Sequence, residues 1–221
     1  MIKKIGKVLS TVLSLCMLSV ILPAVSHANS TSSEDIVQQQ LETFERVEKE
    51  IESDPELVQP DKNSSAYNFK ANNFQALAAA SYPKRKGVIL VTKDGKFGSL
   101  VGHAGIIYSE TSTVESFPKE GVKTFKNNWN TKYKTVYAVT TKGTTVAQDA
   151  KAADRAYSHK GKPYNWEFTN INTTKKFYCS QLVYEAYKYT TSLNLNHGGG
   201  IVFPIDLVNS SHTYIIYTKG V

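Results

Sequence analysis

The 221-residue chain has only two cysteines, Cys16 and Cys179. Cysteine this scarce excludes a disulfide-stapled fold and a thiolate metal cage, both of which need several. The histidines show no metal-ligand spacing, so the sequence predicts no metal and no other cofactor. Long apolar runs are also nearly missing. The one such stretch, residues 8–25, follows Lys3, Lys4 and Lys7 and ends at Ser26-His27-Ala28. A basic start, an apolar stretch and small residues before a cut after Ala28 form the pattern of a cleaved secretory signal peptide. The stretch is barely long enough for a membrane anchor and contains Pro23. Lipidation of Cys16 would require a small residue where Leu15 stands. The expectation is therefore export, secreted or envelope-associated, with residues 1–28 removed and no transmembrane segment left. Repeats are missing, and the lysines are spread rather than clustered, so nucleic acid is not an expected partner.

What remains after that cut has one cysteine, Cys179, and a net charge of +4 instead of +7. A single thiol in an exported protein is exposed to oxidation, and its retention points to a reactive role, although a buried packing cysteine is the plain alternative. Charge divides the remainder. Residues 29–83 carry net −6 and residues 84–221 net +10. The acidic part opens on Ser32, Ser33, Glu34 and Asp35, a helix-capping pattern, and Ile36, Val37, Leu41, Phe44, Val47 and Ile51 repeat at helical spacing. The spacing predicts a helix over 34–52 followed by a linker over 55–75. That segment reads as a propeptide, as an arm docked on the basic domain, or as a solvated helix.

From residue 84 the pattern is α+β with an antiparallel sheet. Strands are expected over 87–92 (with a turn at 93–96), 103–108, 113–117, 134–140 and 213–218. Helices are expected over 146–158, with Val146, Ala150, Ala153 and Tyr157 on its apolar face, and over 179–189. Residues 164–177 and the glycine-rich 196–200 read as loops.

Cys179, Leu182, Val183, Ala186 and Tyr187 fall on one face of the second helix, so the cysteine heads its buried face in the first turn. Free backbone N–H groups and the helix dipole favour a thiolate there. That is not sufficient. An ordinary thiol is only ~3% ionised at pH 7, and lowering its pKa by two units takes ~2.7 kcal/mol. A helix terminus supplies ~0.3–1 kcal/mol and at most ~2. A cationic partner is needed, and imidazolium is the usual one. His103 starts a strand between Gly102 and Ala104-Gly105, small residues that let another backbone or a substrate approach. His159 reads as a surface helix cap, His197 as a loop residue and His212 as exposed. Glu115 shares a strand face with Thr113 and Phe117, and reaches an imidazole if its strand adjoins that of His103. A solvated strand glutamate is the alternative.

The ordered set Gly102-His103-Ala104-Gly105-Ile106, Val114-Glu115, Gly161-Lys162-Pro163-Tyr164-Asn165 and Tyr178-Cys179-Ser180-Gln181-Leu182-Val183-Tyr184 resembles the permuted NlpC-like cysteine hydrolases of the YiiX type. The resemblance spans about residues 84–217. It implies a circularly permuted papain-like fold in which an antiparallel sheet packs against helices including the nucleophile helix. It further implies Cys179 as nucleophile, His103 as base and Glu115 as the orienting residue. Tyr164 matches a tyrosine near the family's active site, and the adjacent Asn165 and Trp166 are candidates to line a substrate cleft. The family's Gly-Asp-Ile-Leu strand reads Gly87-Val88-Ile89-Leu90 here, without the acid. The function expected is hydrolysis of an amide in a peptide-like substrate, peptidoglycan among them, with an anionic envelope polymer as a partner for the basic domain. Two other readings stay open: a thiol acyltransferase or lipid-ester hydrolase of the lecithin-retinol acyltransferase-like type acting on a lipid-like substrate, and a non-catalytic envelope-binding module.

Overall fold

The computed structural model describes residues 32–64 and 81–221, all within the compact unit Thr31–Val221. The leader expected at 1–28 and much of the expected linker lie outside the described residues. The frame is a six-stranded antiparallel sheet: β1 (Ile89–Phe97), β2 (Leu100–Ser109), β3 (Ser112–Phe117), β4 (Gly121–Lys126), β5 (Val136–Thr141) and β6 (Thr213–Lys219), in the order β4-β3-β2-β1-β5-β6. Among the described residues, the α-helices that accompany it are α1 (Ser33–Ser53), α2 (Trp129–Lys132), α3 (Val146–Ser158), α4 (Cys179–Thr191) and α5 (Pro204–Asn209), with a 3-10 turn at Pro55–Leu57. No helix among the described residues is long and apolar enough to cross a membrane.

The continuous apolar run at the start of β1 is explained by cover on both sheet faces. Ile89 and Val91 join Ala104, Ile106, Val114 and the helices in one core, while Val88 and Leu90 join Ile107, Trp129, Val136 and Ala138 in a second. Several boundaries move from the sequence expectation. β1 continues through 93–96, where a turn was expected, because an irregularity between Thr92 and Lys96 lets it stay paired with β2; the chain reverses at Gly98-Ser99 instead. β4, α2 and α5 were not foreseen, being short segments with weak periodicity. The buried face of α3 is Asp149, Ala152, Ala153 and Ala156, and Val146 is exposed. The face turned because Asp149 is drawn inward by a polar network rather than repelled by an apolar core.

That network also holds residues 55–64, whose composition reads as linker. Val58 forms a bridge with Ile215, and the Lys62 ammonium donates to Thr141 O, Thr144 O and Thr144 Oγ1 and pairs with Asp149 at 2.8 Å. Arg85 links Asp61 to the same Asp149 carboxylate. Ahead of this strap, α1 places Phe44, Val47 and Ile51 in the main core. Its Gln40 accepts from Val101 N and donates to Ser99 O, capping the start of β2. The Glu48 carboxylate accepts from Lys93 and from the Tyr137 hydroxyl.

Candidate active site

Cys179 is the first residue of α4 and almost fully buried, at 1% exposure. Its position is set by side chains on both flanks. Tyr178 N donates to Gln181 Oε1 at 3.2 Å, the reciprocal contact of a helix start. Ser180 Oγ donates to Val202 O, and the Tyr178 hydroxyl accepts from Val202 N. Ser116 Oγ on β3 donates to Phe177 O, tying the segment before the cysteine to the sheet.

His103 and Glu115 come from the neighbouring strands β2 and β3. Gly105 pairs with Glu115 across the ladder, and His103 lies two residues before it, on the same face. His103 Nε2 lies 2.9 Å from Glu115 Oε2. A carboxylate only accepts, so Nε2 carries the proton. The other carboxylate oxygen accepts from Trp129 Nε1 at 2.9 Å and from the Thr113 hydroxyl. The imidazole lies flat against Phe117, with ring centres 4.0 Å apart, and is also stacked with Trp129 at 5.5 Å. The glycines around His103 are required by this packing. A side chain at Gly102 would run into Thr92 O, and a Cβ at Gly105 would stand 2.8 Å from Glu115 Cγ and 3.1 Å from Trp129 Cζ2.

With Nε2 taken, Nδ1 is the nitrogen left for Cys179. It is buried and makes no well-formed hydrogen bond, yet the thiol is near enough to act on it electrostatically. Burial by itself lowers the His103 pKa, but Cys179 and then Glu115 outweigh it and raise it from 6.5 to about 9. For Cys179 burial favours the neutral thiol; the His103 imidazole, then Ala104 N–H and the Ser180 hydroxyl, reverse this and leave the pKa below its ordinary value. Burial likewise raises the Glu115 pKa, and His103, Thr113 and Trp129 bring it below the usual carboxylate range. The three groups therefore favour a thiolate–imidazolium pair with an ionised carboxylate behind it. Such a thiolate is a nucleophile, and the imidazolium beside it is a proton donor.

The match to known sequences covers the same residues. Residues 71–198 match the permuted papain-like amidase enzymes, YaeF/YiiX, C92 family. The chain belongs to this family. The uncharacterised protein YycO of Bacillus subtilis (strain 168) is 31% identical over 121 residues, 53% of this chain and 49% of the relative. The chain thus spans about half the length of that curated relative. In fold, it is similar to the crystal structure of yiiX from Escherichia coli O157:H7, described as a metalloprotein, with a TM-score of 0.52, 16% identity, and coverage of 62% of this chain and 99% of that one. Among the described residues, no three His, Cys, Asp or Glu side chains gather so as to hold a metal ion. The residues here do not fit a metal site, and no step below runs through one. Sheet, helices and family agree on a permuted papain-like α+β fold of the amidase type.

Within this family frame, the loop 164–177 supplies a further group. Tyr164 is buried, its hydroxyl has no hydrogen-bond partner among the described residues, and burial and then the Cys179 thiolate push its pKa well up. A phenol whose pKa is raised in this way keeps its proton and remains a hydrogen-bond donor. Asn165 points elsewhere. It is fully buried, donates to Gln181 Oε1 and Asn170 O, and accepts from Glu167 N, so it shapes the loop. Trp166 is 57% exposed and meets Tyr164 edge-on at 4.9 Å.

His159 is a correction to the surface cap expected from sequence. It is buried at the end of α3, with Nε2 2.9 Å from Glu185, Nδ1 accepting from Lys162 Nζ at 2.8 Å, and its ring against Phe177. It braces the back of α4. The sequence reading missed Trp129, Ser116 and Gln181. Only Gln181 had a local signal, its place three residues after Tyr178 at the helix start.

Proposed function

We propose that this protein is an exported amidase that cleaves a peptide-like amide through a Cys179 acyl-enzyme. The observation that carries the reading is the Cys179–His103–Glu115 series: a thiol at a buried helix start, beside an imidazole whose far nitrogen is held by a carboxylate. The thiolate attacks the carbonyl carbon. The resulting oxyanion is taken by the Cys179 N–H, which has no intrahelical acceptor at that position, and by the unpartnered Tyr164 hydroxyl. His103 Nδ1–H protonates the leaving amine as the C–N bond breaks. The neutral imidazole then takes a proton from water, which attacks the thioester and releases the acid.

The amide preference rests on family membership. Export rests on the leader pattern of residues 1–28, and an envelope substrate such as peptidoglycan rests on export with the basic charge of residues 84–221. The test compares the protein with Cys179→Ala on peptidoglycan fragments and on a lipid ester. Amide cleavage lost in the variant supports the reading. Cleavage unchanged by Cys179→Ala refutes it, and turnover of the ester alone replaces it with a lipid-hydrolase function.

A further inference from the structure

Among the described residues, two lysines on the His103–Glu115 side of the sheet, Lys132 and Lys123, have no acidic partner. Lys132, the last residue of α2, is exposed and sits over the rings of Tyr133, Phe117 and Phe125, at 4.8, 5.1 and 5.9 Å. Phe117 is the ring stacked on His103 at 4.0 Å, which leaves the ammonium no more than about 9 Å from the imidazole centre. Lys123 on β4 lies directly opposite Glu115 in the β3–β4 ladder, on the same sheet face. It is exposed, and the Glu115 carboxylate is turned away from it to His103, Trp129 and Thr113. Among the described residues, neither lysine makes a hydrogen bond or ion pair. Asp94, another acid in this region, is occupied by the backbone N–H groups of Lys134 and Thr135 and by the Thr135 hydroxyl.

We propose that Lys132, assisted by Lys123, is a specificity-determining anion subsite on the leaving-group side, and that the amide cleaved here releases an amine bearing a carboxylate. The proposal rests on the reading of Cys179 as nucleophile and His103 as proton donor. The group that protonates the departing nitrogen lies next to it, so charges beyond His103 meet the amine half of the substrate. The aromatic rings restrain a side chain that is otherwise among the most flexible, so less order has to be imposed when an anion binds. A carboxylate suits this site better than a phosphate. Lysine is a point charge without the guanidinium fork that grips several phosphate oxygens. All three arginines are committed elsewhere, Arg46 to Glu50, Arg85 to Asp61 and Asp149, and Arg155 to Glu185. In the reaction, water supplies the oxygen of the new acid and the two protons that the amide nitrogen gains as it leaves as an ammonium; no other reactant is required.

The test needs no identified substrate. Alkylation of Cys179 in the full chain, read from the mass of its peptide, is timed with N-iodoacetylglycine, with its neutral glycinamide counterpart, and with N-iodoacetyl-aminoethylphosphate. Each rate is divided by that of a neutral model thiol. The carboxylate probe is expected to outpace the neutral one by roughly two- to fivefold, the range of one exposed ion pair, and about 0.5 M salt should erase the difference. Lys132→Gln is expected to abolish the preference and Lys123→Gln to reduce it, with the neutral probe unchanged in both, which also reports an intact fold. Lys49→Gln, on the exposed side of α1, should change nothing. An unchanged preference in Lys132→Gln overturns the subsite, as does no preference in the parent protein. A phosphate probe faster than the carboxylate overturns the carboxylate assignment. If even the neutral probe reacts no faster than the model thiol, the nucleophile reading fails, and the subsite with it.

Discussion

Replacing Glu115 by glutamine changes one atom at the centre of the site. The amide oxygen still accepts from Trp129 and Thr113, while an NH₂ group now faces His103 Nε2 at the 2.9 Å position. Two donors cannot share that contact, so the imidazole moves its proton to Nδ1 and presents N–H to the thiol. It can then no longer take the thiol proton. Raising His103 from 6.5 to about 9 corresponds to about 3 kcal/mol in favour of imidazolium, shared between Cys179 and Glu115 against burial. Losing one of the two groups that sustain that shift leaves on the order of tenfold less ion pair, at about 1.4 kcal/mol per decade. The wrong tautomer adds to that, and orienting-carboxylate substitutions in comparable triads cost up to about 10⁴-fold. We expect iodoacetamide alkylation of Cys179 at about pH 6 to fall more than tenfold and hydrolysis to fall by about 10²- to 10⁴-fold. Stability should move by less than about 1.5 kcal/mol, because the other two hydrogen bonds persist. Alkylation within threefold of the parent at unchanged Tm would refute the orienting role of Glu115.

Hydrolysis should decline as pH rises through about 9, where His103 loses the proton it gives to the leaving group. Alkylation should persist there, because the thiolate remains, and should hold well below the ordinary thiol range on the acid side, since His103 keeps the Cys179 pKa low. An alkaline fall near 6.5 instead would contradict the ion pair. Tyr164→Phe should lower kcat by about 10²- to 10³-fold with little change in KM or Tm, as expected for the loss of one oxyanion donor; a KM effect alone would make Tyr164 a binding residue. Gly105→Ala, whose Cβ would press on Glu115 and Trp129, should cost about 1–3 kcal/mol in urea unfolding together with a loss of activity; an active variant would show that Glu115 need not hold its place. Asp149→Asn leaves Lys62 and Arg85 without their shared anion and should destabilise by about 3–5 kcal/mol; a change under 1 kcal/mol would mean the strap of residues 55–64 is held by packing instead.

Much of the site was legible because its signals are local. A cysteine at the head of a 3.6-residue apolar repeat reports its own position: the five residues expected on the inner face, from Cys179 to Tyr187, are all buried. Glycines around a strand histidine report a close approach, which turns out to be Thr92 at Gly102 and Glu115 with Trp129 at Gly105. Two-residue alternation puts Thr113, Glu115 and Phe117 on one face, and the structure finds all three at His103 or its carboxylate.

What depended on distant pairing was not legible. Trp129 meets Glu115 only because the chain after β4 turns back across the sheet. His159 looks like a polar helix end in sequence and becomes a buried strut only when Glu185 of α4 packs beside it. The composition of residues 55–64 suits a linker, and the Asp149 network with the Val58–Ile215 bridge makes it a strap. The sequence by itself determined that Cys179 heads the buried face of α4 and which face of each strand turns inward, because those follow from backbone periodicity. Tertiary structure alone decided the partner of every buried charge and the state of the Cys179 thiol. A burial cost and a Coulomb gain of opposite sign meet there, and their balance depends on distances no periodicity encodes.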